Sequence, residues 1–169
     1  MTAPPTAAIE VRRLTYADLP QVVAIERRAF TTPWSLAMFV LELSKPSGIC
    51  LGAEVEGELV GYLVCSRYDL VWHIMNVSVE PDRRRRGIAT AMLGVLFDRV
   101  GDADAQFTLE VRRSNQAAYE LYDRIGFKSA GVRRRYYADN GEDALVMWRT
   151  PATLRGNLDD VPDADATLA

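Results

Sequence analysis

The sequence predicts an α/β protein, of mixed α+β character, with a mixed central sheet and helices on its faces. Three observations carry that prediction. Short runs rich in β-branched residues alternate with stretches whose apolar residues recur at helical spacing. A strand over Ile74–Val79 and another over Gln106–Arg112 are separated by a helix, which implies a parallel pair with a right-handed crossover. Two further strand pairs, Ile49–Val55 with Leu59–Tyr68 and Phe127–Ala138 with Glu142–Arg149, read as antiparallel hairpins.

Taken in order, Met1–Ala8 is rich in Pro, Ala and Thr and is expected to be loose. Ile9–Leu14 reads as the first strand. Thr15 with Asp18 resembles a capping box, Pro20 leaves the helix start open, and Leu19, Val22, Val23 and Phe30 give the apolar face. Ser35 suits the N-cap of a second helix, with Trp34 and Phe39 placed to form a hydrophobic staple; Pro46–Gly48 ends it. Glu56-Gly57-Glu58 turns the first hairpin. In the central strand Met75, Val77 and Val79 share one face, and in the helix that follows Ala89, Met92, Leu93, Leu96 and Val100 lie on one side. A polar turn, Gly101–Asp104, leads to the strand Gln106–Arg112. Asn115–Ile125 is helical, with Ala118, Leu121, Tyr122 and Ile125 on one face and Gly126 at C′. The last hairpin turns at Asp139-Asn140-Gly141. Beyond Pro151 the chain becomes acidic and poor in large apolar residues, so 151–169 reads as a disordered tail behind one domain, 9–150. There is no internal repeat.

Composition narrows the class. A chain of 169 residues suits one domain with a real core. No stretch is long and apolar enough to span a bilayer, and the start lacks a secretory apolar region. Cys50 and Cys65 sit in apolar runs, which points to buried reduced thiols and a cytoplasmic protein. One histidine and no Cys-x-x-Cys argue against a metal site. A net charge of −3 argues against a general nucleic-acid binder.

The chemistry concentrates between Ile74 and Leu93. Here a strand is closed by Pro81, a basic loop Arg83–Arg86 ends in Gly87, and a helix begins. Gly87 lets the backbone approach a ligand closely, and the first helical N–H groups have no partner inside the helix. Such an end attracts phosphate, and flanking arginines add charge. A run of charge is more often a solvated face, and a basic patch can hold RNA. Adjacency to Gly87 and a helix start favours the phosphate of a small ligand.

This stretch, with Arg84-x-x-Gly87-x-Ala89, resembles motif A of the GNAT superfamily of N-acetyltransferases. Leu109-Glu110-Val111-Arg112-Arg113-Ser114-Asn115 through Tyr122 to Gly126-Phe127 resembles the family's second signature. With Pro33-Trp34-Ser35 and Arg134-Arg135-Tyr136-Tyr137, the chain is similar to the RimI-type ribosomal-protein N-terminal-alanine acetyltransferases over roughly Ile9 to Arg149. The resemblance implies a GNAT-like mixed sheet whose central parallel strands splay apart, with acetyl-CoA as co-substrate and no metal. It further implies cofactor contacts from Val77, Ser78 and Val79, from Arg84, Arg85, Arg86, Gly87, Ile88, Ala89 and Thr90, and from Asn115. A backbone N–H near Val79 would serve the oxyanion. The acceptor groove would run between Trp34 and the final hairpin at Tyr136 and Tyr137.

Acetyl transfer to an amine needs a neutral amine, oxyanion stabilisation and a proton for the leaving thiolate. Glu110 is the candidate base, although a single strand glutamate is often only a solvated one. Tyr122 is the candidate acid by resemblance, although an apolar-face tyrosine is often core. Its phenol, with a pKa near ~10 against ~8.5 for a free thiol, yields its proton only as the thiolate forms, so hydrogen bonding is most of that role. Asn115 equally suits a helix cap, Trp34 a core staple, and the Arg133–Tyr137 run an RNA surface. His73 reads as a core histidine. An α-amine costs roughly 3 kcal/mol less to deprotonate than lysine, but the choice of acceptor comes from the resemblance. The expected partner is a protein N-terminus, with alanine of a ribosomal protein as acceptor, and the protein itself a monomer or weak homodimer. The alternatives are a GNAT enzyme acting on a small amine or lysine, and a non-catalytic acyl-CoA or RNA-binding module.

Overall fold

The computed structural model describes residues 7–162, so the expectation of a loose start falls outside the described residues except at Ala7 and Ala8. The elements are β1 (Ile9–Arg13), α1 (Leu19–Ala29), α2 (Leu36–Ser44), β2 (Gly48–Val55), β3 (Glu58–Tyr68), β4 (Val71–Val79), α3 (Ile88–Val100), β5 (Gln106–Arg112), α4 (Gln116–Arg124), β6 (Lys128–Arg133), β7 (Ala144–Arg149) and α5 (Pro151–Leu154). Short 3₁₀ turns at Tyr16–Asp18 and Pro81–Arg83 precede α1 and α3. The seven strands follow the order β1-β2-β3-β4-β5-β7-β6. β4 and β5 are parallel, whereas β1/β2, β2/β3, β5/β7 and β6/β7 are antiparallel, so the sheet is mixed as expected. The chain divides into two compact units, one of residues up to Ser66 with Met75–Val100, the other of Arg67–Ile74 with Gly101 onwards.

In the first unit, Thr15 and Asp18 form the expected capping box around the 3₁₀ turn, with the Thr15 N–H donating to Asp18 Oδ2 at 2.8 Å. Pro20 falls in the first turn of α1, where its missing N–H costs nothing. The buried side of α1 is Leu19, Val22, Ile25 and Glu26. Phe30, expected on that face, is 37% exposed because the backbone turns extended at its position and the helix ends one residue earlier. Ser35 caps α2 by accepting from the Met38 N–H at 3.3 Å, and Trp34 packs on Phe39 with ring centroids 5.3 Å apart, the predicted staple. The core here gathers Leu14, Leu19, Val22, Ile25, Phe39, Tyr62 and Val64. Cys50 and Cys65 are buried and free, and burial raises both thiols, Cys50 to about 11. In β4, the face that Met75, Val77 and Val79 share becomes covered along the strand, from Met75, 39% exposed, through Val77, partly buried, to Val79, buried; Ile74 and Ser78 are buried on the other face. α3 buries Ile88, Met92, Leu93 and Leu96, and leaves Ala89 and Val100 only partly covered, a stripe that starts one residue earlier than expected.

The second unit is built on β5, with the parallel register Val71↔Gln106, Trp72↔Phe107 and His73↔Thr108 on one edge and β7 on the other. Both strands of the last hairpin are shorter than predicted. Residues 134–143 form a loop instead, with the Tyr137 N–H bonded to Glu142 O and the Gly141 N–H to Tyr137 O. Phe127 belongs to the end of α4 rather than to the strand. The Gly126 N–H bonds to Asp123 O and the Phe127 N–H to Tyr122 O, with Gly126 at φ +102°, a Schellman ending. The tail expected from Pro151 begins with structure. Thr150 caps α5, and Asp160 accepts from the Thr150 hydroxyl at 2.5 Å and from the Ala152 N–H at 3.1 Å. Composition hid this turn, because it rests on capping groups and the fully buried Ala152 rather than on large apolar residues. Residues 163–169 lie outside the described residues.

Candidate active site

The basic loop is held from behind. Arg84 Nε donates to the carbonyl of Val79 at 3.4 Å, and Arg83 pairs with Glu58 at 3.3 Å. Glu80 receives both Nε and Nη2 of Arg28, at 2.5 and 2.7 Å, which ties the end of α1 to the end of β4. Arg85 and Arg86 are exposed and, among the described residues, form no ion pair. Arg85 (φ +63°) and Gly87 (φ +79°) both take the left-handed conformation, which a glycine adopts without strain. Gly87 O accepts from the Ala91 N–H at 2.9 Å, so the N–H groups of Ile88, Ala89 and Thr90 have no acceptor within α3. A Cβ on Gly87 would meet nothing within 4 Å, so the space beside this turn is open. Donors, charge and open space fit the pyrophosphate of a nucleotide-type cofactor. Ser78, by contrast, is 5% exposed and its hydroxyl lies inside the protein.

In the second unit Glu110 projects from β5, and Arg133 Nε of β6 lies 3.2 Å from its Oε1; the glutamate side chain keeps 25% exposure. Arg133 also lies 5.7 Å from the centre of the Tyr136 ring. His73, opposite Thr108, shares a sheet face with Glu110, two residues further along β5. It is half-buried and stands edge-on to Tyr68 at 5.2 Å; burial lowers its pKa, so its imidazole is neutral at neutral pH. Tyr122 is 9% exposed on α4 and meets Phe127 edge to face at 5.6 Å, the apolar contact that accompanies a Schellman ending. Burial pushes its phenol up to about 12, so it holds its proton throughout the neutral range. Asn115 caps α4 by accepting from the Ala118 N–H at 3.2 Å, which leaves its amide hydrogens for another partner. Tyr136 and Tyr137 stand edge to face at 5.1 Å, Tyr136 exposed and Tyr137 partly buried.

Comparison with known proteins decides the family. The model of the acetyltransferase (GNAT) family matches residues 19–127. The chain belongs to that family. This GNAT chain is 36% identical over 150 residues to the N-alpha-acetyltransferase RimI of Mycobacterium tuberculosis, covering 85% of this chain and 94% of that protein. It is 34% identical over 142 residues to the [ribosomal protein bS18]-alanine N-acetyltransferase of Escherichia coli K12, covering 81% of this chain and 94% of the relative. The crystal structure of the ribosomal-protein-S18-alanine N-acetyltransferase from Escherichia coli superposes with a TM-score of 0.78 at 32% identity, over 85% of this chain and 94% of that one.

Sequence reasoning passed over one residue of this GNAT chain that the structure makes prominent. Glu26 is 1% exposed, and its carboxylate accepts from the Trp34 N–H at 3.0 Å, the Asn76 amide at 3.0 Å and the Tyr62 hydroxyl. It thereby joins α1, the α1–α2 connection, β3 and β4. A signal was present: Leu19, Val22 and Glu26 follow helical spacing, so a glutamate occupies a place on the apolar stripe. Among the described residues no helix is long and apolar enough to cross a membrane.

Proposed function

We propose that this acetyltransferase transfers the acetyl group of acetyl-CoA to the α-amine of a protein N-terminus, with the alanine of a ribosomal protein as acceptor. The observation that carries the reading is the combination within one unit of a partly exposed carboxylate, Glu110, and a buried phenol that keeps its proton, Tyr122. The names of the bacterial relatives support the acceptor. Acetyl-CoA supplies a thioester, whose acyl carbon is the electrophile. The N–H groups of Ile88–Thr90, with Arg85 and Arg86, bind its pyrophosphate. Glu110 takes the proton that the amine gives up as the C–N bond forms and the C–S bond breaks. For that step the carboxylate must let go of Arg133. Tyr122 offers a hydrogen bond to the departing sulfur. A phenol at about 12 donates a bond far more readily than a proton to a thiolate of pKa ~8.5, so coenzyme A takes its final proton from water. The aromatic surface of Tyr136 and Tyr137 receives the acceptor backbone.

Acceptor profiling tests the reading. With purified enzyme and acetyl-CoA, peptides with a free N-terminal alanine should gain one acetyl group on the α-amine by mass spectrometry. The same peptides with a blocked N-terminus and a free lysine should remain unmodified. Acetylation of lysine or of small amines at equal or higher kcat/KM would replace the N-terminal reading.

A further inference from the structure

The signature around Glu110 contains a second charged residue, Arg112, to which the chemistry above gives no part. Glu110 and Arg112 stand two apart on β5 and project from the same face. The Arg112 guanidinium reaches the 134–143 loop. It donates to Asp139 Oδ2 at 2.9 Å, Glu142 Oε1 at 3.3 Å and Asn140 Oδ1 at 3.4 Å. Its central carbon lies 3.9 Å from the centre of the Tyr137 ring. One cation thus pairs with two carboxylates and stacks on an aromatic face, a combination that suits the planar, forked guanidinium better than an ammonium.

The other ties of this loop run through its backbone and its carboxylates, among them Asp143, which accepts from the Arg135 N–H at 2.9 Å and, through its carbonyl, from the Arg113 N–H at 3.1 Å. The loop closes on itself through the Tyr137 and Gly141 N–H groups, and it is joined to the β5–α4 connection where Glu142 Oε2 accepts from the Ser114 N–H at 2.8 Å. Hydrogen bonding from the Ser114 side chain, and then from its backbone N–H, draws the Glu142 carboxyl below its ordinary pKa. Each of these bonds fixes the backbone or a carboxylate; the ring itself meets Tyr136 of the same loop edge-on at 5.1 Å and the Arg112 guanidinium, which reaches it from β5. We propose that Arg112 is a positioning residue for acceptor binding, holding the Tyr137 ring in register with the strand that carries Glu110. The inference rests on the reading of Tyr137 as an acceptor contact.

The test is a double-mutant cycle in steady-state kinetics, with acceptor peptide varied at saturating acetyl-CoA and acetyl-CoA affinity measured by calorimetry. Arg112→Ala should raise the acceptor KM about tenfold, with kcat and acetyl-CoA affinity changed by less than about threefold. Tyr137→Ala should raise the same KM, and adding Arg112→Ala to it should cost less than about twofold more, because the two act as one unit. Arg112→Lys keeps the charge without the fork and should fall between wild type and Arg112→Ala; it replaces Arg112→Ala in the cycle if the latter does not fold. An unchanged acceptor KM in the Arg112 variant, or its full tenfold effect persisting on the Tyr137→Ala background, overturns this inference alone. A wild-type KM in Tyr137→Ala removes that ring from acceptor binding and overturns both readings.

Discussion

Two glutamates in this protein stand in opposite circumstances. Glu26 is sealed in the first unit, 1% exposed, with three neutral donors on its carboxylate. Glu110 keeps a quarter of its side chain exposed and faces a single guanidinium. A carboxylate deprived of water must be given hydrogen bonds, and each one it accepts also fixes the donor. Glu26 therefore holds three segments together and is closed to any incoming proton. Among the described residues Glu110 has one ion-pair partner, Arg133, which it can release, and solvent to move into. Burial separates a structural acid from one available for chemistry more sharply than residue type does. A cation nearby is no guide: Glu42, buried on α2, binds Lys45 and the Ser66 hydroxyl, both at 2.7 Å, and has no path to solvent chemistry either.

The largest expected effect is on turnover. Glu110→Gln should lower kcat by about 10²–10⁴, with the deficit shrinking as pH rises and the acceptor amine deprotonates unaided. Tyr122→Phe, losing one hydrogen-bond donor, should cost about tenfold with no such rescue. Profiles of kcat against pH for both folded variants check this, with product release shown not to limit. Wild-type turnover in Glu110→Gln would erase the contrast with Glu26, and superimposable pH profiles would dissolve the division of roles.

Glu26→Ala addresses the other side of the comparison. It leaves a backbone N–H, an amide and a phenol unsatisfied, and should destabilise the protein by about 3 kcal/mol, lowering Tm by about 6–12 °C. The folded fraction should still turn over at low temperature. Thermal denaturation combined with activity per folded molecule decides it. Full stability with lost turnover would move Glu26 into the chemistry.

The smallest effect concerns a third acid. Asp18 is bonded by Arg12, at 2.8 and 2.9 Å, and that bond holds its carboxyl at about 2 against an ordinary 3.8. A carboxyl lowered in the folded state contributes stability above its unfolded value and loses it as pH falls through the folded one. Arg12→Met should therefore lie below wild type by a few degrees in Tm at pH 6, by about 1 kcal/mol or less. The gap should close between about pH 4 and 2. A gap independent of pH would assign the effect to packing of the arginine stem.

The chain by itself determined whatever rests on residues close together in sequence. Ser35 and Asn115 cap their helices, Thr15 and Asp18 form a box, Trp34 meets Phe39, and Gly126 ends α4, because each interaction spans only a few residues. The same locality made the Gly87 loop and the strand bearing Glu110 legible, and with them the family. Tertiary structure alone decided what those residues touch. Glu110 meets Arg133, Arg112 meets Asp139, and Glu26 meets Asn76, across separations of 23, 27 and 50 residues. It also decided that Phe30 points out, that the last hairpin stops at Arg133, and that Asp160 folds back to cap α5. Local periodicity records which residues prefer to avoid water. It carries no record of which buried acid will be given three donors and which exposed acid a single cation, since those partners meet only when the sheet and helices have packed.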